Sequence, residues 1–149
     1  MTEKQKVLVV DDEKNICENV KKILAKDNYE VETARDGQEA LEKMSSGSFS
    51  LLLSDMVMPG MNGLELLKKV KKDWPLTKAL IMTAYGSTDT AVKAIQLGAS
   101  DYITKPFTPE ELRNIINLAA SERLSEAPVS EEFREKINLV GLDMPFDAD

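Results

Sequence analysis

The sequence predicts an α/β fold, one parallel sheet with helices on both faces, from two observations. Five short β-rich runs alternate with five stretches of helical periodicity over about 120 residues, the pattern of successive strand–helix units. Three of those runs, KVLVV at 6–10, SLLLS at 50–54 and KALIM at 78–82, are continuous apolar stretches instead of alternating ones. Strands read that way when they are buried on both faces.

Each element follows from local chemistry. Residues 6–10 form the first strand, and 13–27 a helix with Ile16, Val20, Ile23 and Leu24 at helical spacing. YEVETA at 29–34 is a more marginal second strand. Asp36, with Glu39 three residues on, is a capping-box start for a short helix through Met44. Residues 50–54 are the third strand, and 63–72 a helix with Leu64, Leu67 and Val70 inward. Residues 78–82 are the fourth strand, 88–97 a helix, and 101–104 a short fifth strand. The last helix opens on Thr108-Pro109-Glu110-Glu111, an N-cap, a first-turn proline and a capping glutamate, with Leu112, Ile115, Ile116 and Ala119 inward.

Composition narrows the chemistry. At 149 residues, 42% hydrophobic and 30% charged, the chain is long enough to bury a real core. No apolar run approaches the ~20 residues that span a bilayer, and MTEKQKVLVVDD meets acidic residues too early for a signal peptide. A single cysteine, Cys17, excludes an intrachain disulfide and fits a reducing compartment, so a cytoplasmic location is expected; near an apolar stripe, Cys17 reads as packing. There is no histidine, hence no Ser-His or Cys-His nucleophile pair and no imidazole metal site. A net charge of −7 argues against direct nucleic-acid binding through phosphates. Residues 121–149 hold eight acids and three bases, so most of that charge sits in the tail.

Right-handed crossovers send all five strand C-termini to one edge, where open α/β sheets bind ligands. Asp11 and Asp12 follow the first strand, Asp55 the third, Thr83 the fourth and Lys105 the fifth. Taken singly, each has a plainer reading: Asp11 or Asp12 as a helix N-cap, Asp55 as a residue of the Met-Pro-Gly turn, Lys105 as a solvated loop lysine, Thr83 as an ordinary strand end. Together, three carboxylates at one edge repel unless a cation intervenes. An all-oxygen set suits Mg²⁺, and Mg²⁺ beside a lysine and a hydroxyl can hold a phosphoryl group. Asp55 is then the candidate nucleophile for phosphoryl transfer.

At this point the residues match a family. Asp11-Asp12, Asp55 within DMVMPGMNG, Thr83-Ala84 and Lys105-Pro106-Phe107, in order and over roughly residues 5–120, resemble the response regulator receiver domain of two-component signalling. TAYGSTDTAVKAIQLGASDYITKPF further resembles receivers of nitrogen-regulatory-type, sigma-54-dependent transcriptional activators. The resemblance implies a flavodoxin-like sheet of order 2-1-3-4-5, with residues 1–120 as the receiver and 121–149 as an extension. It implies that a phosphohistidine of a sensor histidine kinase phosphorylates Asp55. Asp12, Asp55 and the Val57 carbonyl would bind Mg²⁺ directly, Asp11 through a metal-bound water. Lys105 and Thr83 would contact phosphoryl oxygens, and the Lys105–Pro106 bond would be cis. Thr83 would move on phosphorylation, and Tyr102 would enter the space it leaves, altering the face of the fourth helix, fifth strand and fifth helix. Homodimerisation, or control of an output partner, would follow. Val57 and Tyr85 offer no carboxylate or amide to orient an attacking water, so self-dephosphorylation should be slow.

Rival readings fare worse. A haloacid-dehalogenase-type phosphatase needs an Asp where Val57 stands, and a flavodoxin-like nucleotide binder needs a Gly-rich or Ser/Thr-rich loop in place of DDEKN. A non-phosphorylated pseudo-receiver docking module would be expected to lack one of the five site residues; all are present, and this reading stays as the alternative that phosphorylation in solution decides. In the tail, Val129, Phe133, Ile137 and Val140 recur at spacings of four, four and three, one helical stripe that either folds back on the domain or serves as a dimerising linker. No GxxxxGK loop and no basic DNA-reading helix follows, so an ATPase or DNA-binding output domain is absent from this sequence.

Overall fold

The computed structural model describes residues 5–84 and 88–121. Along the chain run β1 (Gln5–Val10), α1 (Lys14–Ala25), β2 (Tyr29–Ala34), α2 (Gly37–Ser46), β3 (Leu51–Asp55), α3 (Gly63–Asp73), β4 (Lys78–Thr83), α4 (Thr88–Gln96), β5 (Asp101–Thr104) and α5 (Pro109–Ser121). The five strands form one parallel sheet of order β2-β1-β3-β4-β5, as the resemblance implies. Expectations for Tyr85 and for the tail stripe lie outside the described residues.

Two cores sandwich the sheet, and strand periodicity assigns each residue to one of them. Val7, Val9, Leu51, Leu53, Leu80, Met82 and Ile103 face α1 and α5, packing on Val20, Leu24, Leu112 and Ile116. Leu8, Val10, Leu52, Ala79, Ile81 and Tyr102 face the other way, toward Ala40, Met44, Leu66, Leu67, Val70 and Ala94. The continuous apolar runs are therefore strands with a core on each side.

Helix starts follow their cap residues, with one difference in detail. Asp36 accepts from the Glu39 amide at 2.8 Å, but the Glu39 carboxylate reaches back to the Arg35 amide at 2.9 Å, one residue beyond the cap. Thr108 and Glu111 form the reciprocal pair at α5, at 3.0 and 2.9 Å. Asn62 and Glu65 do the same at α3. On α3 the fully buried leucines are Leu66 and Leu67, with Leu64 only partly covered. On α1, Cys17 takes the buried position expected of Ile16, which is partly buried. The N-terminal lysine of β4 is itself buried, its stem running under α5.

Candidate functional site

Backbone pairing past the strand ends brings the site together. The Met56 amide donates to the Met82 carbonyl at 3.0 Å, and the Lys105 amide to the Thr83 carbonyl at 2.8 Å. The Asp11 amide donates to the Ala34 carbonyl at 3.0 Å. Asp55 thus stands beside the end of β4, and Lys105 crosses over the same end from β5.

The side chains converge as the sheet edge dictates. Lys105 Nζ lies 2.7 Å from Asp11 Oδ2, 3.1 Å from Asp55 Oδ1 and 3.8 Å from Glu13 Oε1. Carboxylate oxygens of Asp11, Asp12 and Asp55 all lie within 4.8 Å of one another. Asp11 is fully buried and Asp55 nearly so, while Asp12 is exposed. Asp11 does not cap α1 as a helical residue's neighbour would; Glu13 is the N-cap, and Asp11 Oδ1 accepts from the Glu13 amide at 2.9 Å. Its other oxygen is thereby left for Lys105.

Three carboxylates face one ammonium, and the electrostatics record the imbalance. Burial, and then the charge of Asp11, push the Asp55 carboxyl above its usual range, although the Lys105 hydrogen bond pulls it back. Burial works against the Lys105 ammonium, but Asp11 and Asp55 outweigh it and raise its pKa. Lys105 is therefore held as a cation. The donor set is oxygen-only and in excess of its cation, which fits a hard divalent ion such as Mg²⁺.

The remaining expected residues lie where the strands put them. Thr83 is buried at the end of β4, paired in register with Thr104. Ala84, next to it, is exposed and small. Tyr102 is buried on the α4 side of the sheet, in contact range of the cluster that holds Ile81 and Val92. Val57 lies two residues past Asp55 with its side chain 59% exposed. The Lys105–Pro106 peptide is cis. Gly60, at φ +78°, turns the chain away after Met58-Pro59. Cys17 is buried beneath the site, its thiol pushed up to about 11 chiefly by burial, and its Sγ lies 3.4 Å from the Asp11 carbonyl oxygen. That is the packing role its sequence position suggests.

Two residues escaped the sequence reading. Glu13 comes within reach of Lys105 because its own amide is pinned by Asp11; in the sequence it is one more charge in DDEKN. Gly63, the first residue of α3, packs against the site strand, its amide donating to the Met56 carbonyl at 2.8 Å. A Cβ there would collide with the Asp55 carbonyl oxygen and the Met56 Cα, so only glycine lets α3 start this close. The signal available was a glycine immediately after the cap residue Asn62.

The chain is similar to known proteins in sequence and fold. The family model of the response regulator receiver domain matches residues 7–117. The transcriptional regulatory protein DltR of Streptococcus agalactiae is 41% identical over 113 residues, 76% of this chain and 50% of that protein. The DNA-binding transcriptional regulator NtrC of Escherichia coli is 42% identical over 113 residues, 76% of this chain and 24% of that protein. The chain thus spans about half the length of the first relative and about a quarter of the second. The solution structure of the beryllofluoride-activated NtrC4 receiver domain dimer is 36% identical, with a TM-score of 0.73, covering 76% of this chain and 94% of that one. A five-stranded 2-1-3-4-5 sheet, a lysine-bridged acidic edge and these matches lead to one assignment: the chain belongs to the response regulator receiver domain family of two-component systems.

Proposed function

We propose that the chain accepts a phosphoryl group on Asp55 from the phosphohistidine of a sensor histidine kinase, and that the aspartyl phosphate switches its α4–β5–α5 face. The observation that carries this reading is Lys105 Nζ lying 2.7 and 3.1 Å from two nearly buried carboxylates while a third, exposed one stands beside them. An Asp55 oxygen attacks phosphorus, forming the acyl P–O bond as the donor P–N bond breaks. The electron pair leaves with the donor imidazole, which is protonated. The chain has no histidine of its own, so the donor is another molecule.

Asp12, Asp55 and the Val57 carbonyl would hold Mg²⁺, and Asp11 would act through a water bound to it. When bound, the ion offsets the repulsion between carboxylates and phosphoryl oxygens. Lys105, already kept charged by Asp11 and Asp55, would pair with a phosphoryl oxygen, and Thr83 would donate to another. Phosphorylation adds roughly −1.5 to −2 charge at one point. Thr83 and Tyr102, both buried at strands β4 and β5, support a repacking that carries this change to the α4 side. The outcome would be homodimerisation or control of an ATPase or DNA-binding output domain outside this sequence.

Incubation with acetyl phosphate and Mg²⁺, followed by intact mass, tests the reading. One phosphoryl group is expected, lost when EDTA replaces Mg²⁺. An unmodified protein contradicts the reading and favours a pseudo-receiver docking module instead. Val57 cannot orient a water, so the phosphoryl group should outlive a timescale of seconds; loss within seconds contradicts that part.

A further inference from the structure

The hydroxyl of Thr104, the last residue of β5, is buried and has no hydrogen-bond partner among the described residues. A buried hydroxyl without a partner opposes folding, because water would have satisfied it. Valine has nearly the same shape and the same preference for a strand, without that penalty. The oxygen thus contributes nothing to the fold in this state, and its use lies in another.

The neighbour of Thr104 across the sheet indicates which state. Thr104 pairs in register with Thr83, and two residues back Tyr102 pairs with Ile81. Tyr102 and Ile81 both belong to the core on the α4 side. Side chains alternate along a strand, so Thr83 and Thr104 lie on that same face, on strands about 4.8 Å apart. The Lys105 amide donates to the Thr83 carbonyl at 2.8 Å and fixes the two backbones against each other. A change of side-chain rotamer, with no strand movement, is enough to join the two hydroxyls.

A threonine hydroxyl has one proton to donate and two lone pairs with which to accept. If Thr83 donates to a phosphoryl oxygen on Asp55, its own oxygen is open to a donor. The phosphoryl oxygen only accepts, so the chain of bonds has one direction, from Thr104 to Thr83 to the phosphoryl group. Each bond in such a chain polarises the next.

We infer that Thr104 is a positioning residue for the switch: its hydroxyl, idle in the unmodified chain, donates to Thr83 Oγ1 once Thr83 donates to the phosphoryl group. The inference rests on the phosphoryl reading above and adds what holds Thr83 in its engaged position. A contact made in one state and absent from the other is what shifts a population between them.

Beryllofluoride with Mg²⁺ mimics a phosphoryl group on a carboxylate, and fluorine NMR reads its binding to the full chain directly. Thr104→Val should weaken beryllofluoride binding about fivefold, the worth of one hydrogen bond. Without beryllofluoride, the same variant should melt at or above the wild-type temperature. Thr104→Ser keeps the hydroxyl and should bind within about twofold of wild type. Equal binding by wild type and Thr104→Val overturns the inference, as does Thr104→Ser binding as weakly as Thr104→Val. A Thr104→Val protein that melts lower without beryllofluoride also overturns it, since the hydroxyl would then already be satisfied in the unmodified chain. A wild type that binds no beryllofluoride overturns the phosphoryl reading itself, and the role of Thr104 with it.

Discussion

The two ends of the sheet each draw in a lysine, Lys78 buried and Lys105 nearly so, and they use it in opposite ways. At the C-terminal edge, Lys105 is surrounded by more carboxylates than it can neutralise. At the N-terminal edge, the Lys78 ammonium donates to the Ala119 carbonyl, the Lys71 ammonium to two loop carbonyls and the Thr77 hydroxyl to the Phe49 carbonyl. Those contacts satisfy backbone acceptors and close helix α5 and the α3–β4 loop against the sheet. One edge is left with unbalanced charge, which favours a cation and an incoming anion; the other is a joint. Burial alone does not separate the two. The identity of the partners does.

Removing each lysine should expose that difference. Lys105→Met leaves Asp11 fully buried without its counter-charge, which should cost about 3–5 kcal/mol at neutral pH by chemical denaturation. Adding Asp11→Asn should recover most of the loss, because it removes the stranded charge. No such recovery would mean that Lys105 acts through its aliphatic stem. Lys78→Met should cost less, about 1–3 kcal/mol, the penalty of a buried carbonyl left unpaired. Protection of α5 amides from hydrogen exchange should fall first at its C-terminal turn.

The pH dependence of stability sharpens the contrast further. Burial and Asp11 raise the Asp55 carboxyl in the fold, so its ionised form opposes folding. That cost is absent below the unfolded carboxylate pKa and is established as pH rises through the raised folded value. Asp55→Asn should therefore raise the melting temperature at pH 7, and the gap to wild type should close as pH falls through that window. A gap that is independent of pH would contradict the electrostatic origin.

The smallest effect belongs to an exposed pair at the joint end. Arg113 holds Asp27 bidentately at 2.9 and 2.8 Å, and Asn117 adds a third contact at 3.3 Å. The Arg113 hydrogen bond lowers the Asp27 pKa, so its contribution is present above the unfolded carboxylate pKa and is lost as pH falls through the folded one. Arg113→Ala should shift the melting temperature slightly, and the shift should shrink with added salt. A large, salt-independent loss would point to packing of the arginine stem instead.

The C-terminal edge was largely legible in the sequence, and the N-terminal edge was not. Asp11, Asp12, Asp55, Thr83 and Lys105 each stand at a strand's C-terminal end or just past it, and parallel topology alone sends strand ends to one edge. Strand placement followed from runs such as KVLVV, whose burial on both faces needs no knowledge of partners. Helix faces were less determinate: on α3, Leu64 and Leu66 lie on either side of the buried stripe, and only the placement of α3 over the sheet puts Leu66 inside. Gly63 and Glu13 depend on a helix start approaching Asp55 and on an amide pinned by Asp11, contacts between segments that no local pattern encodes. Lys78 reads as an ordinary strand-end lysine until α5 is placed above it.

The central claim is that Asp55 is the residue that carries the phosphoryl group, with Lys105 as its partner. The most direct measurement is borohydride reduction of the protein after exposure to acetyl phosphate and Mg²⁺, with peptide mapping of the product. Reduction of an aspartyl phosphate leaves homoserine in place of the aspartate, so the expected result is homoserine at position 55 alone, and none in Asp55→Asn. Homoserine at position 11 or 12, or an unaltered Asp55 in a protein that has gained phosphoryl mass, would contradict it.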